Sequence, residues 1–306
     1  MKEIEIQITE CPRDAMQGYH NIFPTDIKVK YINSLLNCGF DTLDIGSFVS
    51  PKAVPQMADT QDVLNKIKFD NSDAKTIIKT NDKTHIKLPD LLVIAANKKG
   101  IDLALNNENI KYIGYPFSIS ETFQLKNTNS TIEETFEIIK NAQDKLINTN
   151  KELNIYISMG FGNNYDNKSS GNIWDFDIVG NWVDKLNKIG IANFAIADTI
   201  GIADDERIFG MANFIKKEFS KLNIGFHLHS SYETSYSKID AAISGGITKF
   251  DTAINGFGGC PFAEDGLVGN IATEILIKYL KEKNIKHNIN IDNFEISRKI
   301  ASEIFI

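Results

Sequence analysis

Arginine is nearly missing from this 306-residue chain. Only Arg13, Arg207 and Arg298 occur, so the other 30 of the 33 basic residues are lysine and each guanidinium invites a question about its role. Tryptophan is reduced to Trp174 and Trp182, which read as helix packing and not as platforms for stacked bases. Three cysteines (Cys11, Cys38, Cys260) are too few for a disulfide framework and suit a reducing cytoplasm. A surplus of positive charge is also lacking. Lys+Arg 33 against Asp+Glu 40 gives −7, which argues against the basic surface of nucleic-acid binding and against an anionic membrane as partner. No run approaches the roughly 20 apolar residues that a spanning helix needs. Met1–Ile6 reads as the start of a strand, not as a secretory signal. Neither GxGxxG nor a Walker-type phosphate loop occurs.

What is present is a rhythm of short apolar runs, turns and longer amphipathic segments. Runs at Ile4–Thr9, Thr42–Ser47, Leu91–Ala96, Tyr112–Phe117, Ile155–Gly160, Phe194–Asp198, Ile224–His229 and Phe250–Ile254 predict strands buried on both faces of a parallel sheet. Between them lie helical segments. Thr25-Asp26 opens the first, which Gly39 closes, and Ser130-Thr131-Ile132-Glu133 has capping-box spacing before a helix running to about Asn150. Trp174–Gly190, Asp204–Leu222, Tyr232–Gly245 and Gly269–Lys283 supply others. Eight such strands with no linker between them predict one α/β domain, a (β/α)8 TIM barrel over residues 1–283, with a short C-terminal helical tail over 284–306. A doubly wound open sheet shares the rhythm and is the competing architecture.

The unusual polar residues fall at one end of these strands. Arg13 and Asp14 follow the first, Asp44 and Ser47 lie in the second, and Asp198 ends the sixth. His227 and His229 end the seventh, Asn255 and the run Gly256-Phe257-Gly258-Gly259-Cys260 follow the eighth, and Asn270 comes ten residues after the cysteine. Carboxyl ends of strands are where barrels carry chemistry. In a strand, i and i+2 share a side, so His227 and His229 project into one space. With Asp14 and the amide oxygen of Asn270 they form a mixed N/O set that suits Mg²⁺, Mn²⁺, Fe²⁺ or Zn²⁺; two hydrogen-bonded pocket histidines are the plainer reading. Arg13 beside Asp14 is either a structural ion pair or a cation aimed at a developing enolate or carboxylate. Asp44 and Asp198 either orient Arg13 and the ligands or cap neighbouring loops. Cys260, in its glycine-rich loop, is a candidate general acid or base, or a small buried residue. Cys38 reads as buried in the first helix, and His20, His85 and His287 as surface or loop residues.

Several stretches resemble the 3-hydroxy-3-methylglutaryl-CoA lyase family, a branch of the metal-dependent barrel lyases and Claisen-type synthases. They are Pro12-Arg13-Asp14-Ala15-Met16-Gln17, Ser47-Phe48-Val49-Ser50-Pro51-Lys52 through Met57, His227-x-His229, Gly258-Gly259-Cys260-Pro261-Phe262-Ala263, and Gly269-Asn270-x-Ala272-Thr273-Glu274. The resemblance implies a barrel that binds Mg²⁺ or Mn²⁺, with Zn²⁺ able to take the place in a crystal, through Asp14, His227, His229 and Asn270. It implies an acyl-CoA substrate, cleaved to acetyl-CoA and acetoacetate, with Arg13 stabilising the enolate and Cys260 handling a proton, His227 being a second candidate for that transfer. A homodimer and a cytoplasmic enzyme are further implications. Alternatives are a lyase or Claisen-type synthase for a related 3-hydroxyacyl-CoA or 2-oxo acid, or a silent acyl-CoA-binding barrel.

The sequence also departs from that pattern. Asp44 stands where the family usually has Glu, and Gly160-Phe161-Gly162-Asn163-Asn164-Tyr165 where Gly-Cys-Pro-Tyr is frequent. Ser230 follows the histidine pair in place of Asp, Ala195 replaces a frequent serine, and Gln17-Gly18-Tyr19-His20 lacks a lysine. The metal and cysteine segments match; the residues expected around the acyl group match less well.

Overall fold

The computed structural model describes residues 5–19, 21–69, 78–79, 85–162, 174–259 and 268–305. The strands in chain order are β1 (Gln7–Glu10), β2 (Thr42–Ser47), a short antiparallel hairpin of β3 (Ile78–Lys79) and β4 (His85–Ile86), then β5 (Asp90–Ile94), β6 (Ile110–Ser118), β7 (Glu152–Ser158), β8 (Asn193–Asp198), β9 (Asn223–Leu228) and β10 (Lys249–Thr252). Leaving out the hairpin, eight parallel strands close into a barrel in sequence order, β10 returning to β1 with Ile8 opposite Phe250 and Thr9 opposite Asp251. This is the (β/α)8 barrel, and the open sheet is excluded. Each of the eight expected strands is present, shifted by no more than a few residues at the ends.

Alternation explains how the barrel is filled. On β7, Ile155 and Ile157 join the large core between sheet and helices, whereas Tyr156 joins Leu92 of β5 and Ala195 of β8 in a small separate cluster. Neighbouring residues of a strand face opposite sides, so that small cluster is the apolar filling of the barrel interior.

The helices are α1 (Pro12–Gln17), α2 (Thr25–Leu35), α3 (Thr60–Lys66), α4 (Lys98–Leu105), α5 (Glu121–Thr128), α6 (Ile132–Leu146), α7 (Phe176–Lys188), α8 (Asp205–Glu218), α9 (Tyr232–Gly245), α10 (Thr273–Glu282) and α11 (Ile291–Ile304). Most begin at a side chain that accepts from a free amide of the first turn, such as Asn97, Ser120, Asp175 and Asp204. The capping box of α6 is Thr131 with Glu134, one residue later than the sequence pattern suggested. Gly39 lies beyond α2 at φ +84, and a β-carbon there would meet the Asn288 carbonyl oxygen at 2.1 Å. Its glycine thus lets the segment before α11 pass close to the barrel. The expected short tail helix is a 14-residue element, α11. Among the described residues no helix is long and apolar enough to cross a membrane.

Candidate active site

The site begins where β1 ends. Proline at the first helical position starts α1 without wasting an amide hydrogen, and this single short helix turns Arg13 and Asp14 inward, both buried. Arg13 donates from Nε and Nη2 to Asp44 Oδ2 at 2.9 and 2.5 Å, and from Nη1 to Asp14 Oδ1 at 3.0 Å and Gln17 Oε1 at 2.8 Å. Gln17 Nε2 closes the ring on Asp14 Oδ1 at 2.9 Å. The guanidinium is therefore fixed by partners on two elements, and Asp44 and Asp14 raise its pKa further, against burial. Burial pushes the Asp44 carboxyl up to about 6, despite the pull of Arg13. For Asp14 burial acts upward too, but Arg13, both histidines and Asn270 outweigh it and hold the carboxyl below its usual range.

Opposite Asp14 stand the two histidines. His227 lies on β9 in register with Asp251 of β10, and its Nδ1 is 3.3 Å from Asp251 Oδ2. His229 Nδ1 meets the Thr199 carbonyl at 3.0 Å, which accepts a proton from it and leaves Nε2 free. Burial and the neighbouring His227 push His229 down to about 4, so it is neutral at physiological pH. For His227 burial acts downward, but Asp251 outweighs it and the net direction is up.

Asn270 completes the group. It forms a bridge with His229 in a strand-like pairing in which Ser230 N donates to Gly269 O (2.8 Å) and Ile271 N to Leu228 O (3.2 Å). Its Nδ2 donates to Asp14 Oδ2 at 2.7 Å and to the Phe257 carbonyl at 2.8 Å. Gly258, at φ +106, lies so close that a β-carbon would be 2.4 Å from Asn270 Nδ2 and 2.9 Å from Asp14 Oδ2.

Two orphans give this cluster its meaning. His229 Nε2 and Asn270 Oδ1 are buried without any hydrogen-bond partner. An unpaired buried acceptor costs about 1–3 kcal/mol, so two beside one carboxylate call for a cation. Asp14, His227 and His229 each offer a ligand atom, all within 4.8 Å of one another. Neutral imidazole, carboxylate and amide oxygen suit a divalent ion of intermediate hardness. The residues present fit a metal.

A cavity of about 420 Å³ opens on these groups, lined by Arg13, Asp14, His227, His229, Tyr156 and Ser47 among others. Two further unpartnered atoms, Asp44 Oδ1 and Tyr156 Oη, are buried in the same region.

Of the sequence candidates, the structure brings together Arg13, Asp14, Asp44, His227, His229 and Asn270. Asp198 stands apart. Its carboxylate accepts from the Ile202 and Ala203 amides and from Lys238 Nζ, so it caps the loop after β8 and does not touch Arg13. Its tie to the histidines is indirect, through Lys238, which also donates to the His229 carbonyl at 2.7 Å. Cys260, Asn163 and Asn164 lie outside the described residues. Cys11 and Cys38 are free buried thiols. Sequence reasoning missed Asp251, Gln17 and Thr199. Gln17 was findable, because i and i+4 of a helix share a face with Arg13. Thr199 acts through its backbone and leaves no side-chain signal.

A closed parallel barrel carrying a fixed guanidinium and a histidine–carboxylate–amide donor set at the carboxyl ends of its strands defines a barrel enzyme, with residues able to hold a metal at the face where such folds carry their chemistry. Residues 5–300 match the family model HMGL-like, and the chain belongs to that family. It is 31% identical to the mitochondrial hydroxymethylglutaryl-CoA lyase of Pongo abelii, over 98% of this chain and 88% of that protein. Among solved structures, an HMG-CoA lyase from Acinetobacter baumannii in complex with coenzyme A and 3-methylmalate superposes with a TM-score of 0.85 at 27% identity, covering 98% of this chain and 90% of that one. The Bacillus subtilis HMG-CoA lyase gives 0.85 at 27% identity, covering 99% and 95%.

Proposed function

We propose that the protein is a divalent-metal-dependent carbon–carbon lyase that cleaves 3-hydroxy-3-methylglutaryl-CoA to acetyl-CoA and acetoacetate. The observation that carries the reading is the pair of buried, unpartnered ligand atoms, His229 Nε2 and Asn270 Oδ1, beside Asp14, which with His229 and Arg13 lines the cavity. Asp14, His227, His229 and Asn270 would hold the ion, Mg²⁺ or Mn²⁺, through the donor set described. When bound, such an ion supplies Lewis acidity to the substrate's tertiary hydroxyl and a carboxylate oxygen.

The chain's own groups account for the rest. The hydroxyl gives its proton to an acid–base group of the chain in its basic form. The bond between the hydroxyl-bearing carbon and the thioester α-carbon breaks, and its electron pair passes to a thioester enolate, to which that group then returns the proton. The former carbinol becomes the ketone of acetoacetate. Arg13, held rigid by Asp44, Asp14 and Gln17, presents a charge that needs no reorganisation as the enolate forms. Asp44 acts by positioning Arg13, and Asp198 by fixing the loop that offers Thr199 to His229. The enolate carbon takes a proton, a role that the sequence motif assigns to Cys260, with His227 as the second candidate. Residues 1–283 form the catalytic barrel and 284–306 its helical tail in this reading. The free thiols of Cys11 and Cys38 support a cytoplasmic setting, and homodimerisation rests on the family resemblance alone.

The test is a coupled assay for acetyl-CoA from 3-hydroxy-3-methylglutaryl-CoA, on wild type and Cys260→Ala. Turnover that a chelator abolishes, Mg²⁺ or Mn²⁺ restores and the variant loses supports the reaction and the proton role together. Turnover untouched by the variant removes Cys260 from the mechanism. An enzyme that binds the ion yet leaves this substrate intact points to a different branched acyl-CoA, for which Ser230, Ala195 and the departure at Asn163-Asn164 are the places to look.

A further inference from the structure

We propose that α11 is a brace that holds the loop after α1 and the loop after β10 against each other, with Phe305 and Ser302 as positioning residues for the metal-site partners; this rests on the reading of the site given above. The base of α11 is tied to the end of α2. Asn290 N donates to Cys38 O at 2.7 Å, Asn293 Nδ2 to Asn37 O at 2.6 Å, and Ser297 Oγ meets Cys38 Sγ at 3.2 Å. Fourteen residues at 1.5 Å each carry the helix about 20 Å from that anchor to the catalytic face.

There, the next residue, Phe305, is buried among aromatic rings from both loops and from α2. Its centroid lies 4.7 Å from that of Phe257, 5.5 Å from those of Tyr19 and Phe23, and 5.9 Å from that of Tyr31. One turn back, Ser302 Oγ accepts from Asn255 Nδ2 at 3.3 Å. Asn255 is in the left-handed region at φ +59, a conformation that costs a residue with a side chain and persists only under outside support. Its amide donates to Glu274 Oε2 at 3.0 Å.

Both loops lead straight to the donor set. Phe257, one face of which meets Phe305, accepts through its carbonyl from Asn270 Nδ2, and the same nitrogen donates to Asp14 Oδ2. Tyr19 comes two residues after Gln17, which holds Arg13 and Asp14. Tyr19 and Phe257 also line one cleft of about 450 Å³, together with Ala15 and Gly258. Phe305 is thus a common neighbour of the two loops, which also come together where Gly258 and Asn270 lie against Asp14. Its removal takes from both loops their shared contact with the anchored helix and leaves the Ser302–Asn255 bond as the tie to the loop after β10.

The experiment is amide hydrogen exchange on the full chain, with and without Mn²⁺, comparing wild type, Phe305→Ala, Ser302→Ala and Phe136→Ala. The last variant empties a ring from α6, where Phe136 packs on Trp182 away from both loops. The amides of Asn255, Gly256, Phe257 and Tyr19 are all hydrogen-bonded and report the loops. Expected is about tenfold faster exchange there in Phe305→Ala and a smaller effect, confined to 255–257, in Ser302→Ala, with the barrel strands unchanged. In the acetyl-CoA assay kcat falls about tenfold while KM stays nearly constant, because the loops are less often in place and not because contacts to substrate are lost. Unchanged exchange in Phe305→Ala, or the same loosening in Phe136→Ala, overturns the brace. Should Phe305→Ala fail to fold, Ser302→Ala alone decides. A wild type that does not cleave the substrate sinks the reaction reading and leaves the exchange data to judge the brace.

Discussion

Arg13 has charged partners on two elements, and the more deeply buried of them is Asp44, fully enclosed with one oxygen on the guanidinium and the other unpaired. Burial raises that carboxyl to about 6, so it takes up a proton as pH falls through that value and Arg13 keeps only Asp14 as a counter-charge. Activity is therefore expected to decline below about pH 6. In Asp44→Asn that acidic limb disappears, activity is low at every pH, and chemical denaturation shows a loss of about 3 kcal/mol, the cost of taking one of two carboxylates from a buried guanidinium. A variant that keeps the wild-type pH profile would show that Asp44 is not the titrating group. Residues such as Arg13 and the His227-x-His229 pair were legible because rare polar types stood at strand ends. Asp251 was not. It sits inside Lys249–Thr252, a run whose apolar neighbours masked an inward-facing acid, and only the register with His227 reveals its partner. Asp198 carried the same strand-end signal as Asp44 but serves a loop, because position along a strand does not tell which neighbour a carboxylate will reach.

Strands were easier to read than helices. A strand buried on both faces leaves an unbroken apolar run, as in Asn193–Asp198, where all six residues are buried. The six-residue α1, which carries Arg13 and Asp14, has no room for a helical period, so periodicity gives no sign of it. Two element junctions make predictions of their own. Glu10 ends β1, is wholly buried, and accepts from the Ile254 amide and the Thr273 hydroxyl, joining β1 to the loop after β10 and to α10. Burial lifts its pKa to about 8, so the folded state holds a proton that the unfolded chain gives up near 4.5. Stability from this group is complete below pH 4.5 and is lost as pH rises to 8, by a few kcal/mol on the order of the linkage relation. Glu10→Gln, neutral throughout, is expected to flatten that slope and to be the more stable protein at pH 8 in denaturant titrations; an unaltered slope refutes the assignment. At the second junction, Gly258→Ala forces a β-carbon onto Asn270 and Asp14 from a left-handed backbone. Titration with Mn²⁺ should show affinity falling about 10–100-fold, as when the supporting groups of a metal site are lost, while the barrel still melts cooperatively. Retained affinity would mean that the loop relaxes away from the ligands.

For the whole molecule, the proposed ligand set is assembled from widely separated segments: Asp14 after β1, His227 and His229 at the end of β9, and Asn270 beyond β10. An ion bound there joins the first strand of the barrel to its last ones, at the seam where β10 closes on β1. Nothing comparable exists in the unfolded chain, so binding is linked to global stability. At a hundredfold excess over the dissociation constant the gain is about 2.7 kcal/mol, which for a domain of this size is a rise of several degrees in Tm. Mn²⁺ added to chelator-treated wild type should produce that rise in a calorimetric scan, growing with the logarithm of ion concentration. Asn270→Ala, which removes one proposed ligand and the bonds from its Nδ2 to Asp14 and the Phe257 carbonyl but no strand pairing, should melt below the chelated wild type and respond to Mn²⁺ far less. If both proteins gain equally, the ion binds elsewhere and the orphaned atoms of His229 and Asn270 need another partner. If neither gains, no ion joins the seam, and the pairing of β10 with β1 together with the Asn270 Nδ2 to Asp14 Oδ2 bond at 2.7 Å closes it without one.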